Sequence, residues 1–458
     1  MLSEYLQKNA QRFVDDLRQL LAIPSVSADP ARQDQVVRCA EEVARQMRQA
    51  GLTEVRVMAT RGNPVVYGSW LGAPGRPTVL VYGHYDVQPE DPLELWQSPP
   101  FEPTVRDGKI YARGATDDKG QFLIHLKAVE ALLACQGRLP VNVKFVIEGE
   151  EEVGSPSLAP WLEEHKDMLA ADVLVVSDSA MYAPGIPALL YGLRGLVYVQ
   201  IDLKGADTDL HSGSFGGAVP NAAFEMARLL ATLKDADERV AIEGFYDKVR
   251  PLSPEERQKF AELPFDAEAF RRSVGAPGLV GEKGYSPNEQ RWARPTLEVN
   301  GLLSGYTGQG AKTVIPHRAM AKVSCRLVPD QDPEEIARLL EEHLRRHTPP
   351  WVELSLTVMH GARPWITPLD HPALQAASRA VEKAFGRPPV FIREGGSIPI
   401  VVDFERILGL PGVLVGVGLN DENLHAPNEH FDLGNFQKGI ELSTHLLEEL
   451  SAITAVTR

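Results

Sequence analysis

Four apolar runs of strand length constrain this chain more than any other feature: "TVLVYGHYDV" (78–87), "VNVKFVIEGE" (141–150), "ADVLVVSDS" (171–179) and "GVLVGVGL" (412–419). They are nearly continuous in apolar residues, as strands buried on both faces are. Between the first two lies "KGQFLIHLKAVEALLAC" (119–135), where Phe122, Leu126, Val129 and Leu133 recur at helical spacing. Residues 3–22 and 33–50 also read as helices, the second stopped by Gly51. Apolar strands alternating with helices predict an α/β domain with a mostly parallel sheet and helices on both faces.

The texture changes from residue 194. "GLVYVQIDLKG" and "AMAKVSCRLVP" alternate as half-buried strands do, and "NAAFEMARLLATL" is an amphipathic helix. A stretch rich in proline and charge covers 250–295, and "DPEEIARLLEEHLRRH" reads as a helix capped by Asp332. These are the parts of an antiparallel sheet with helices on one face. Strand signals of the parallel type return near 388. The expected organisation is an α/β domain formed by 1–193 and 377–458, interrupted by an inserted α+β domain over 194–376.

Ligands of open α/β sheets sit beyond the carboxyl ends of the strands, and here those ends share one chemistry. The first strand finishes at His84 and Asp86, two apart and so on one side of an extended chain. "YARGATDDKG" brings Asp117 and Asp118 into the next helix, and "EGEEEVGS" supplies Glu150, Glu151 and Glu152. Asp178 ends the third run, and "NDENLHAPNEH" follows the fourth with Asp421, Glu422, His425 and Glu429. Taken singly, each is an ordinary cap or solvated charge. Together they form a crowd of carboxylates that cannot stay ionised without a cation. Oxygen and imidazole donors without thiolate suit zinc, manganese or cobalt, and their number exceeds what one open zinc site needs. A two-metal site with a shared carboxylate fits them.

Composition removes other classes. The 458 residues carry 47 Lys and Arg against 62 Asp and Glu, a net charge of −15, which argues against nucleic acid and anionic membranes as partners. Cys39, Cys135 and Cys325 are far apart and odd in number, so no disulfide framework or cysteine-built zinc site is expected. The opening "MLSEYLQKNAQRF" lacks an apolar signal core and no run has the length of a membrane span, so a cytoplasmic location is expected. "GYTGQGAK" (305–312) approaches a phosphate loop, but Ala311 stands where its lysine should follow Gly310. His343 and His347 share a helix face, yet lie among Glu341, Glu342, Arg345 and Arg346, so a solvated face is expected there. Neither HExxH nor GxSxG occurs.

"HYDVQP", "RGATDDKG", "EGEEEVGS", "SDS" and "HAPNE", in this order and spacing, resemble the M20 metallopeptidase family across nearly the whole chain. "DLHSGSFGGAVPN", "GAKTVIPHRAMAKVSCRLVPD" and "REGGSIP" look closest to its carnosinase and cytosolic nonspecific dipeptidase branch. The resemblance implies that 1–193 and 377–458 form the catalytic domain and 194–376 a lid and dimerisation domain. It implies two divalent ions per subunit, zinc first, with manganese or cobalt as alternatives. His84, Asp117 and Asp178 would hold one ion, and Asp117, Glu152 and His425 the other, with Asp117 bridging. Asp86 would accept the second ring N–H of His84 and fix its tautomer. Glu151 would be the general base towards an activated water, and the Asp117–Asp118 peptide bond would be cis. His211 would reach the active site of the partner subunit in a homodimer and stabilise the oxyanion. Arg326 would clamp the substrate's C-terminal carboxylate, with Thr313, Gly396 and Ser397 as further substrate contacts.

The expected activity is therefore dinuclear metal-dependent hydrolysis of dipeptides or very short peptides. The same acids would serve an N-acyl amino acid amidohydrolase, the lead alternative. A catalytically silent metal-binding protein is a further one, against which the intact Glu151 and ligand set argue. "HAPNE" and "SDSAM" depart from the wording of the eukaryotic dipeptidases, so side-chain preference does not carry over.

Overall fold

In the computed structural model, which describes residues 2–396 and 398–453, the four apolar runs become neighbouring parallel strands. Their order is Asn142–Glu148, Thr78–His84, Val173–Val176, Gly412–Leu414. Apart from the first residue of each of the two longer strands, every position in these four is buried, which is why their sequences do not alternate. Two strands that the sequence reading passed over extend the sheet antiparallel on one side: Val65–Trp70 beside Asn142–Glu148, then Glu54–Met58. On the other side Ala188–Leu193 pairs antiparallel with Gly412–Leu414 through Leu190. The sheet is thus parallel at its centre and mixed overall.

The helix Lys119–Gln136 is buried on every side from Lys119 to Leu132 because the helices Leu2–Leu21 and Leu433–Leu450 and the strand Thr78–His84 all pack on it. Gly137 ends it in the left-handed region at φ 69°, the C-terminal stop that glycine provides most cheaply. Helix Gln33–Gln49 lies against the two antiparallel strands. None of the described helices is long and apolar enough to cross a membrane.

The chain divides into two compact units. The first comprises Met1–Tyr191, Thr367–Ile392 and Ile400–Arg458, and the second Gly192–Ile366 with Arg393–Pro399. The second unit is an α+β insertion. Its antiparallel sheet has the order Thr296–Ser304, Arg318–Leu327, Gly195–Lys204, Glu353–Ala362. Along Gly195–Lys204 burial alternates strictly, and the inward Val197, Val199, Ile201 and Leu203 meet Met226, Leu229, Leu340 and Leu344 of two helices. Each such side chain, fully buried, stabilises by about 1.5–3 kcal/mol. Those helices are Ala222–Ala231 and Pro333–His347. Asn221 caps the first and Asp332 the second, accepting from the N–H groups of Glu334 and Glu335.

One expectation holds for His347, which is exposed, but fails for His343. His343 is 6% exposed, and its Nε2 lies 2.9 Å from the Thr232 hydroxyl. It follows Leu340 by three residues and so sits on the apolar stripe, while Glu342, Arg345 and Arg346 carry the solvated face.

Candidate active site and metal centre

The strand ends bring six of the sequence-selected side chains to one place in the first unit. His84 is the last residue of its strand, and Asp178 follows Val173–Val176 by two. Glu151 and Glu152 open the turn after Asn142–Glu148, Asp117 precedes the buried helix, and His425 comes from the loop after Gly412–Leu414. The Asp117–Asp118 bond is cis. His84 Nε2 lies 3.0 Å from Asp117 Oδ1 and 3.9 Å from Asp178 Oδ2. His425 Nε2 lies 2.8 Å from Asp117 Oδ2 and 3.4 Å from Glu152 Oε2. Two groups of three potential ligands result, His84–Asp117–Asp178 and Asp117–Glu152–His425, each with its donor atoms within 4.8 Å of one another. Asp117 belongs to both and offers a different oxygen to each histidine.

Electrostatics say what this cluster is suited to. Burial, then the charge of Asp117, pushes Asp178 up to about 7 and Glu152 up to about 8. Burial also raises Glu151, despite His84 nearby. Asp117 itself is lowered: burial would raise it, but His425 and His84 together outweigh burial. Protons and imidazolium charge thus do what a cation would do better. His84 Nε2 is buried and lacks a hydrogen-bond partner although it points at carboxylate oxygens. An orphaned imidazole nitrogen among acids is the geometry of a metal ligand, and the donor set fits two divalent ions.

Further acids hold the candidate ligands in place. Asp86, two residues past the strand, offers its backbone carbonyl to His84 Nδ1 at 3.1 Å, with its carboxylate 3.5 Å away. That carboxylate accepts the N–H groups of Glu151 and Glu152 at 3.2 and 3.1 Å, so one residue orients both the imidazole and the glutamate pair. Gln88 donates to Glu152 Oε2 at 2.8 Å. Asp118 turns back to accept from the backbone N–H of His84, packing so closely that a Cβ at Gly83 would lie 2.7 Å from it.

The sequence reading left Glu422 and Glu429 without a role, and both turn out to bind backbone. Glu429, fully buried, accepts from the N–H groups of Gly114, Thr116 and Asp117 and pairs with Arg113 at 2.7 Å. Glu422 accepts from Leu419 N, Asp432 N and the Thr116 hydroxyl. An acid that ligates and an acid that satisfies a loop look alike in sequence. The buried Arg113 in "YARG" was the available signal.

The loop that presents His425 carries three non-glycine residues in the left-handed region, Asn423, His425 and Asn428, at φ 57°, 57° and 63°. Asn428 anchors it by accepting from Gln97 N and donating to Leu95 O. Backbone held this way away from its preferred region tends to occur at functional sites.

The remaining selected residues belong to the second unit. His211 and Thr313 neighbour each other across the short pairing of Leu210–His211 with Val314–Ile315, 3.5 Å apart at Nε2 and Oγ1. His211 Nδ1 accepts from Gly213 N. Arg326 lies in Arg318–Leu327, opposite Thr296 and Leu196. A Cβ at Gly396 would meet Glu394 Cγ at 4.0 Å, an ordinary contact, and it is Gly395 that packing requires to be small, since a Cβ there would meet Arg194 Nη2 at 2.7 Å. Ser397 lies outside the described residues.

The sequence pattern of peptidase family M20/M25/M40 matches residues 80–449. Over 468 residues the chain is 34% identical to Cys-Gly metallodipeptidase dug1 of Schizosaccharomyces pombe, covering 99% of this chain and 98% of the relative. It is 33% identical over 474 residues to Beta-Ala-His dipeptidase of Homo sapiens, covering 98% and 92%. A solved M20 family metallo-carboxypeptidase from Sulfolobus solfataricus has a TM-score of 0.84 and 34% identity, covering 96% of this chain and 99% of that one. A family pattern that starts within the strand leading to His84 and ends in the last helix, together with relatives of this identity over almost their full length, makes the chain a metallopeptidase of family M20/M25/M40, in its carnosinase and cytosolic dipeptidase branch.

Proposed function

We propose that the chain hydrolyses the peptide bond of dipeptides and very short peptides at the cluster around Asp117. The observation that carries this reading is the pair of three-ligand groups sharing Asp117, with Glu151 beside Glu152 and uncommitted to either group. His84, Asp117 and Asp178 would hold one divalent ion, and Asp117, Glu152 and His425 the other, zinc being our assignment for both. Bound there, the ions supply Lewis acidity towards a carbonyl and acidify water.

The chain's own residues do the rest. Glu151 is the general base: burial raises its affinity for a proton, which a base working near neutral pH needs. It takes the proton of the attacking water and returns it to the departing amine. Asp86 holds Glu151 and Glu152 by their backbones, so base and ligand keep fixed separations. His211 accepts the Gly213 N–H at Nδ1, so a neutral ring carries its proton on Nε2 and presents a donor suited to an oxyanion. Arg326 clamps the C-terminal carboxylate, with Thr313, Gly396 and Ser397 as further contacts. The inserted region is a lid and dimerisation domain, the working form a homodimer in which His211 serves the partner's site, and the location cytoplasmic.

Dipeptides are favoured over N-acyl amino acids because the two curated relatives above are named for Cys-Gly and Beta-Ala-His. A panel of dipeptides, tripeptides and N-acyl amino acids, assayed with zinc, manganese or cobalt restored to chelated protein, tests the reading. Glu151→Ala should keep both ions and lose turnover by several orders of magnitude; normal turnover in that variant removes the base assignment. Preference for N-acyl amino acids over all dipeptides would establish the amidohydrolase instead.

A further inference from the structure

Glu148 is a buried carboxyl that the reaction above does not use. It closes the strand Asn142–Glu148, three residues before Glu151, and is 2% exposed. Tyr82, from the neighbouring parallel strand, donates its hydroxyl to Glu148 Oε1 at 2.7 Å. Ser155 donates its hydroxyl to the same oxygen at 2.8 Å, from the far end of the turn that carries Glu151 and Glu152. One carboxyl oxygen thus ties the exit of that turn back to the strand from which it departs.

Ser155 adopts an uncommon backbone conformation to make this bond. Its φ is 51°, in the left-handed region, and Pro156 follows it. A serine stays there only where its surroundings hold it. From this position its N–H donates to Glu150 O at 2.8 Å, and the N–H of Gly154 donates to Glu151 O at 2.8 Å. The entry of the turn is fixed separately: Asn63 Nδ2 donates to Gly149 O at 2.6 Å, and Asn63 N donates to Glu150 Oε1 at 2.9 Å. The two glutamates depend on this frame unequally. The Glu152 carboxylate is gripped by Gln88 as well, and under the proposed function by an ion. Glu151, uncommitted to an ion, takes its place from the backbone of the turn.

We propose that Glu148 and Ser155 are positioning residues for the general base: their hydrogen bond closes the 148–155 turn and so sets where the Glu151 carboxylate stands. The inference rests on the reading of Glu151 as the base and deepens it, since it names what fixes that base beyond Asp86. Proton transfer in a bound complex is sharply sensitive to placement, and a shift of about 1 Å costs on the order of a hundredfold in rate. The link needs an acceptor oxygen rather than a charge, and glutamine at 148 keeps one that both hydroxyls can reach.

The test measures kcat, KM and ion content on the metal-loaded full chain, with whichever dipeptide of the panel above is cleaved best. Ser155→Gly removes the hydroxyl and suits a left-handed backbone, so the fold should tolerate it. Glu148→Leu removes the acceptor. Each should lower kcat roughly tenfold to a hundredfold with KM and both ions retained, whereas Glu148→Gln should keep most of kcat. Ser155→Gly stands in if Glu148→Leu fails to fold. An unchanged kcat in Ser155→Gly overturns the proposal, as does a Glu148→Gln variant as slow as Ser155→Gly. Loss of an ion from Ser155→Gly also overturns it, because the turn would then be placing Glu152 rather than the base. Failure of the underlying reading shows without touching either residue: a Glu151→Ala variant that turns over normally removes the base, and its positioning with it.

Discussion

At the scale of single residues, the candidate centre divides its acids between two tasks. Asp117, Glu152 and Asp178 face histidines, whereas Glu422 and Glu429 face backbone N–H groups. Glu429 is the sharper case, because it neutralises the buried Arg113 while fastening the three N–H groups that lead into Asp117. Glu429→Gln keeps the shape and removes the charge. We expect it to destabilise the fold by about 3 kcal/mol, since it leaves Arg113 buried without its counter-ion. We also expect metal affinity to fall roughly tenfold to a hundredfold as Asp117 loses its support. Chemical denaturation and metal titration measure the two effects; unchanged affinity would show that Glu429 supports folding only. The residues of the two candidate ligand groups were legible in sequence, because His and Asp at strand ends announce their position. Glu422 and Glu429 were legible as acids near His425 but not as loop anchors, because only the fold shows which N–H groups lack partners.

Among the elements, the helix Lys119–Gln136 links core to site. Its N-terminus begins at the Asp117–Asp118 pair, and its body is buried even at polar positions. His125 is enclosed between the hydroxyls of Ser443 at 2.8 Å and Ser177 at 2.7 Å, and burial holds it down to about 4. A histidine in the unfolded chain takes up its proton near pH 6.5, whereas folded His125 resists protonation until about 4. The unfolded state thus binds more protons between these values, and stability declines as pH falls from 6.5 to 4. The total contribution is about 3 kcal/mol. Denaturant midpoints across this range should drop steeply for the natural chain and less steeply for His125→Gln. Parallel slopes would mean that His125 is not the group responsible. The apolar spacing located this helix within a residue or two, but it could not show that Lys119, His125 and Lys127 would also be enclosed. Periodicity reads one face, and this helix is covered on all of them by elements from both ends of the chain. The antiparallel strands Glu54–Met58 and Val65–Trp70 escaped notice for a related reason: they are short, and it is pairing with Asn142–Glu148 that makes them strands.

For the whole molecule, the proposed homodimer makes a prediction that a self-contained subunit does not. If His211 serves the partner's site, Glu151→Ala and His211→Ala subunits are each inactive alone, yet a mixed dimer regains one complete site. Co-expression with random pairing should then restore about a quarter of the natural activity per site. A mixture as inactive as its parents would place His211 and Glu151 in the same site, and an active His211→Ala parent would remove His211 from catalysis. What the sequence determined by itself was the sheet centre, the helix beside it and the acids and histidines at the strand ends, because burial on both strand faces and acids at strand ends are written in local residue order. Only the tertiary structure decided that Asp117 meets both histidines, that Asp86 grips the glutamate pair by its backbone, and that Tyr82 reaches Glu148. Those facts depend on segments tens to hundreds of residues apart, which local order does not encode and long-range packing alone brings together.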